Sequence, residues 1–290
     1  MKIILPVSFL VVLIQWFGLI YYLDFAFRPL MKLINLPPEA FLPILAGIFA
    51  DVYGSIAVMV SLPFSQEQMT LIAIFSTISH SLIIEGIIQT RSGINIFKIT
   101  LLRLIAASLT VLMVSWLFEG TAESISAFEI AARVPITELL ITWGLDILVL
   151  LGQILAVIVL AMIFQEILIS LGLIKYLFNF FKPIIRLMGL PSRVTFAWLV
   201  AILAGVTYGA AIIIEECKKG LVSAEELEYL QISIGINHSM IEQIAIYGAL
   251  GLNVAFIVLP RLLTAIVAVW LIRGWRKLKS ILSFHGKGNL

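Results

Sequence analysis

Apolar residues run in long blocks along this chain, and polar residues gather in the short stretches between them. The blocks cover roughly 3–23, 40–62, 67–90, 96–118, 139–171, 194–217, 226–249 and 252–273. Several of them approach or exceed the ~20 residues that a helix needs to cross a bilayer. Two stretches have a different pattern, at 24–36 and 178–189. In these, Arg28/Lys32 and Lys182/Arg186 stand four residues apart on one helical face, with a proline in the first turn. That pattern predicts amphipathic helices lying in the membrane interface.

The blocks at 40–62 and 194–217 carry glycine near their middles, at Gly47 and Gly54 and at Gly205 and Gly209. Glycine supplies the backbone freedom for a turn, so each block is a crossing or a hairpin that returns to the side it came from. The basic residues decide between these. Crossings would divide the 17 Lys and Arg outside the spans eight to nine, whereas hairpins divide them fourteen to three, with Arg28, Lys32 and Arg133 alone on the poorer side. The asymmetric division is the one expected of a membrane protein. It predicts six crossings and two re-entrant hairpins, with both termini cytoplasmic and the protein in the plasma membrane. Cys217 then faces the reducing side.

The second half repeats the first. From Gly18 to Pro37 and from Gly172 to Pro191, at a shift of 154, ten of 20 positions are identical. At a shift of 158, Ser79-His80-Ser81 meets Asn237-His238-Ser239 and Arg103 meets Arg261. Three crossings separate the two interfacial helices, so the repeats are inverted, an arrangement of transporter type. The expected fold is an all-α polytopic membrane protein with two inverted repeats. Each repeat has a span, an interfacial helix, a re-entrant hairpin, a broken helix and a final helix. Residues 1–118 form the first repeat, 119–138 an acidic extracytoplasmic linker, 139–274 the second repeat and 275–290 a basic, poorly ordered cytoplasmic tail.

Composition agrees. Hydrophobic residues make up 61%, charged residues 12%, and mean hydropathy is +1.12. The first apolar run is too long for a signal-peptide core and has no small-residue cleavage site, so it is read as a retained span. A single cysteine excludes an intrachain disulfide and a cysteine-based metal cluster. The net charge of +2 does not point to nucleic acid. The chain has no Walker loop, dinucleotide fingerprint, HExxH or CxxC, and it is not expected to be an enzyme.

Polar groups inside apolar blocks need a partner or a task. Ser79, His80 and Ser81 interrupt 67–90, and Asn237, His238 and Ser239 interrupt 226–249. Glu85 and Glu242 follow their histidines by about one helical turn. Arg103 and Arg261 lie deep in the next spans, where each is expected to meet the carboxylate of its own repeat, Glu85 or Glu242, or the carbonyls freed where the broken helix unwinds. At the hairpin tips, Leu45-Ala46-Gly47 through Asp51, Tyr53 and Gly54 resembles Leu203-Ala204-Gly205 through Thr207, Tyr208 and Gly209, with three extra residues in the first copy. Asp51 has no acidic mate there, and it is either a site residue or a helix cap. The expected substrate-binding set is therefore Ser79, His80, Ser81, Glu85, Asn237, His238, Ser239, Glu242, Asp51, Tyr53, Thr207 and Tyr208. No resident metal and no organic cofactor is expected. Na⁺ and H⁺ are the candidate coupling ions, the histidines being suited to carry protons.

The LAG…YG hairpins followed by HS-bearing helices resemble the nucleoside recognition (Gate) membrane proteins, which include spore maturation proteins A and B and the Gate regions of ferrous iron transporter B. The order of elements also resembles the core of concentrative nucleoside transporters. The resemblance covers about residues 18–118 and 172–273, and implies a solute or ion site between two hairpins and two broken helices. The leading expectation is a secondary transporter for a small polar solute or ion. A divalent-metal permease and a non-transporting membrane subunit or assembly factor are the alternatives. The expected partners are the lipid bilayer and a small polar solute or ion, and a homo-oligomer is compatible with the sequence.

Overall fold

The computed structural model describes residues 4–91, 93–123, 134–205, 209, 212–216, 220 and 222–286. Among these the regular structure is entirely helical. The protein is an all-α polytopic membrane protein. In the first half α1 (Ile4–Trp16), α2 (Ile20–Lys32), α3 (Phe41–Phe49), α4 (Val52–Val60), α5 (Gln66–Ser79), α6 (Leu82–Thr90) and α7 (Ile96–Ser115) follow in order. The second half has α8 (Ile136–Ser170), α9 (Ile174–Leu187), α10 (Thr195–Ala204), α11 (Ala224–Asn237), α12 (Met240–Ala249) and α13 (Val254–Gly286). Residues 212–216 are also helical.

Among the described residues, four stretches are long and apolar enough to cross a membrane: Gln66–Thr90, Ile96–Ser115, Ile136–Leu168 and Val254–Ile281. The first is interrupted at His80–Ser81. Large apolar side chains such as Leu101, Ile105, Leu109, Ile141, Leu145 and Leu148 lie on the outside of the bundle. In a bilayer that surface faces lipid.

The repeated Gly18-Leu19 and Gly172-Leu173 end the first helix of each half. Gly18 (φ +70°) and Gly172 (φ +64°) adopt the left-handed conformation that glycine accepts without cost. The amides of Leu19 and Leu173 reach back to the carbonyls of Ile14 and Leu168. Each interfacial helix thus begins at residue 20 or 174, four residues before the expected 24 and 178. The first helix, at 13 residues, is correspondingly shorter than the expected 3–23 span.

The residues expected to form a disordered tail from 275 continue α13 as helix to Gly286. One cause is a buried anchor: Arg276 pairs with Glu228, which also pairs with Lys98.

The first hairpin is two nine-residue helices joined at Ala50–Asp51. At 1.5 Å per residue each arm is about 13–14 Å long, half a bilayer core. A Cβ added to Gly47, four residues before Asp51, would lie 3.3 Å from that of Ser55, four after it, so the arms fold back on one another. The loop after α7 holds both hairpin ends. Thr121 Oγ1 accepts from Asn35 Nδ2 before the hairpin, and the Thr121 carbonyl accepts from Gln68 Nε2 after it.

In the second half the matching ends collect at the other end of α7. The carbonyl of Gly189 accepts from Arg273, whose guanidinium also lies over the Tyr229 ring at 5.3 Å. Glu228, beside Tyr229, pairs with Lys98 at the start of α7. A 20-residue helix of about 30 Å separates the two gatherings, so the repeats are inverted.

The hairpin register differs from the LAG…YG match. The amide of Ser81 donates to the Gly47 carbonyl, and that of Ser239 donates to Ala201, not to Gly205. A Cβ on Gly209 would meet Ala201, just as one on Gly47 would meet Ser55. The shift of 154 therefore persists at least as far as Gly209. The four residues that raise it to 158 lie between Gly209 and Ser223, and the LAG likeness is displaced by one helical turn.

Candidate functional site

Both broken helices break in the same way. His80 and His238 are extended (ψ 159° and 167°), and Ser81 and Ser239 follow at φ +47° and +53°. A non-glycine residue in the left-handed region is uncommon, and two at equivalent positions mark a built feature. The tertiary bonds to the hairpin hold this geometry: Ser81 donates its amide to Gly47 and its Oγ to the Ala50 carbonyl. Each break frees carbonyls at the preceding helix end, and the buried arginines take them. Arg103 donates Nε to Ile78 O (2.7 Å) and Nη2 to His80 O (2.9 Å). Arg261 donates to Ile236 O, His238 O and, across the repeats, Thr77 O.

The imidazoles meet at the centre. His80 Nε2 and His238 Nε2 lie 3.0 Å apart, and Glu85 Oε1 stands 2.9 Å from the second and 3.2 Å from the first. Oε2 of Glu85 accepts from Arg103 Nη1 at 2.7 Å. All these groups are buried. The Nδ1 atoms face the carbonyls of Ser76 (3.0 Å) and Ile234 (2.9 Å), each one helical turn back. A carbonyl oxygen only accepts, so each Nδ1 carries its ring's hydrogen.

In the second half the expected bonds to the freed carbonyls are made, but the ion pair with Glu242 is not. Arg261 Nη1 bonds to Gln243 Oε1 at 2.9 Å, and Glu242 instead accepts from the Tyr53 hydroxyl of the first hairpin. The reason is register: Glu85 moved by 158 positions lands on Gln243. One step along a helix turns a side chain by about 100°, so Glu242 faces the hairpin, not the arginine. Gln243 is a central residue that the sequence reading missed, although the repeat shift points to it. Its Nε2 stands 3.4 Å from His80 Nε2. Gln89 and Gln231 also escaped notice. They form a buried amide pair between α6 and α11 for which the repeat gives no signal.

The remaining expected residues are placed as follows. Ser79 Oγ is occupied by the Phe75 carbonyl within its own helix. Asp51 caps α4 by accepting from the Gly54 amide. Asn237 is fully buried at the end of α11, and neither amide atom has a partner among the described residues. Thr207 and Tyr208 lie outside the described residues, as does Cys217.

Comparison with known proteins agrees with a membrane location. No solved structure matches the chain. The chain is 26% identical over 287 residues to the membrane protein YvoD of Bacillus subtilis (strain 168), an alignment covering 96% of this chain and 91% of that one. Residues 1–114, which include the first hairpin, His80, Glu85 and Arg103, match the nucleoside recognition (Gate) family.

Proposed function

We propose that this membrane protein is a secondary transporter for a small polar solute or ion, nucleosides included, with its site between the two hairpin tips and the two helix breaks. One arrangement carries the reading. Each break is tied to the tip of its own hairpin, through Ser81 to Gly47 (2.9 Å) and through Ser239 to Ala201 (3.3 Å), and both breaks share one buried polar cluster. A hairpin can then release its tie on one side while the other holds, as alternating access around a fixed site requires.

Asn237 supports the same reading. An unpaired buried amide costs about 1–3 kcal/mol, and a hydrogen-bonding solute would remove that cost. The fourteen-to-three charge division supports a plasma-membrane location with cytoplasmic termini. Na⁺ or H⁺ serves as coupling ion in this reading, and no chemical reaction is catalysed.

The test is uptake into liposomes carrying the purified protein. Labelled uridine, adenosine, adenine and hypoxanthine are offered under inward Na⁺ and pH gradients, with protein-free vesicles as baseline. Uptake of any of them, reduced by Asn237→Ala, is the expected result. A flat panel with folded protein would overturn the nucleoside reading, and a flat response to ions as well would favour a non-transporting membrane subunit.

A further inference from the structure

The central cluster poses a valence problem. With both Nδ1 hydrogens committed to carbonyls, each neutral imidazole presents a lone pair at Nε2, that of His80 having only the Gln243 amide nitrogen near it, at a long 3.4 Å. Glu85 Oε1 presents a third, since Oε2 is taken by Arg103. Three electron-rich atoms thus form a nearly equilateral triangle of 2.9, 3.0 and 3.2 Å in a buried site. One proton can bridge His238 to a neighbour. It leaves the His80–Glu85 edge, at 3.2 Å, with lone pairs opposed.

The ring orientations tell a hydrogen-bonded pair from a chelating one. The ring centroids lie 4.7 Å apart with the planes inclined at 35°. A ring nitrogen is about 1.15 Å from its centroid, so a head-on hydrogen bond across 3.0 Å would separate the centroids by roughly 5.3 Å. Two rings aimed at one point about 2.05 Å beyond each nitrogen, the usual metal–imidazole distance, would separate them by roughly 4.7 Å. At that distance the three edges subtend angles of about 90–103°, nearer an octahedral face than a tetrahedron.

We infer that His80, His238 and Glu85 form one face of a binding site for a divalent first-row transition metal ion, shared between the two repeats. Two imidazoles and a carboxylate suit such an ion better than Mg²⁺ or Ca²⁺, which prefer oxygen ligands throughout. The three ligand atoms all fall within 4.8 Å of one another. Both buried arginines direct N–H groups to acceptors other than the two Nε2 atoms and Glu85 Oε1. Arg103 gives three of its five N–H groups to Glu85 and two carbonyls, and Arg261 bonds to Gln243 and three carbonyls. The backbone carbonyls behind each Nδ1 hold the rings in the metal-binding tautomer, the usual arrangement around a ligating histidine. Because the ligands come from both halves, the ion would pin the breaks together and must leave when they separate. This inference deepens the transport reading by naming a ligand class for its site. It rests on that reading for the ion's role, not for its binding.

The experiment uses the full chain in detergent, stripped with EDTA and reloaded with Mn²⁺, Co²⁺ or Zn²⁺. The expected result is about one ion per chain, with electron spin-echo spectra of the Mn²⁺ form showing nitrogen couplings from two imidazoles. His80→Gln and His238→Gln should each weaken retention at least about a hundredfold while elution and helical content stay unchanged. Should either variant fail to fold, the nitrogen couplings of the wild-type protein decide the matter alone. No retained ion, or an ion lacking imidazole couplings, overturns the inference and leaves a proton at the cluster. Metal binding without uptake of any solute would sink the transport reading and leave this one standing. Nucleoside uptake by a protein that binds no metal would do the reverse.

Discussion

Gln243 stands where the repeat places a second Glu85. Each accepts a hydrogen bond from the arginine 18 residues further on, at 2.7 Å from Arg103 to Glu85 and at 2.9 Å from Arg261 to Gln243. One arginine is therefore held by a carboxylate and carbonyls, and the other by an amide and carbonyls alone. The asymmetry leaves one negative charge, not two, at the meeting point of the repeats.

Glu85 and Arg103 should behave as a buried pair. Arg103→Gln strands a carboxylate beside two imidazole lone pairs and should destabilise the protein by about 3–5 kcal/mol. Glu85→Gln in the same chain removes the stranded charge and should recover part of the loss. Melting temperature and folded yield in detergent, compared across the four members of the cycle, give the coupling. A double variant no better than Arg103→Gln alone would show that the pair is not what holds the arginine.

Arg261 should depend on Gln243 and not on Glu242. Gln243→Leu leaves a fully buried guanidinium short of one acceptor and should cost about 1.5–3 kcal/mol. Gln243→Glu restores an acceptor and should fold as well as the natural chain. Glu242→Gln keeps an acceptor for the Tyr53 hydroxyl and should be nearly neutral. Equal losses from the changes at 242 and 243 would contradict the register that separates them.

The broad architecture was legible because it is written in properties that survive at low resolution: apolar blocks, a duplicated segment, and the distribution of lysine and arginine. The histidines and arginines could be singled out because a buried polar group in a membrane span needs a partner. What the sequence hid were matters of a single helical turn. Glu242 looked like the mate of Arg261 because a carboxylate is the more obvious partner, yet the shift of 158 lands on Gln243. The LAG triplets drew the hairpins into false register because a motif catches the eye more than spacing does. The helix ends at Gly18 and Gly172 lay inside the repeat itself, but apolar flanks concealed them. The metal-like triangle needs the orientation of two rings, which no linear pattern carries.

The corrected hairpin register makes a reciprocal prediction. A Cβ on Gly209 would overlap the Ala201 Cβ and come within 2.9 Å of its Cα, so the arms must part to admit it. Gly209→Ala should cost about 1–3 kcal/mol through this overpacking. Ala201→Gly in the same chain removes the opposing methyl and should recover much of the loss in thermal stability. If Gly205→Ala were rescued by Ala201→Gly while Gly209→Ala was not, the one-turn displacement would be wrong.

The inverted arrangement can be tested by labelling, because the two helix–hairpin junctions sit at opposite ends of α7. Lys32 and Gln66 are exposed residues flanking the first hairpin, tied through Asn35 and Gln68 to Thr121 beyond the end of α7. Ser223 follows the second hairpin, and Lys279 extends the helix whose Arg276 joins Glu228 and Lys98 at the start of α7. In a Cys217→Ser background, single cysteines at 32 and 66 should react with an impermeant maleimide from one face of the membrane. Those at 223 and 279 should react from the other. Positions 32 and 66 responding from opposite faces would mean that residues 40–62 cross the bilayer. The charge division, the shared contacts of Thr121 and the inversion of the repeats would then all need another explanation.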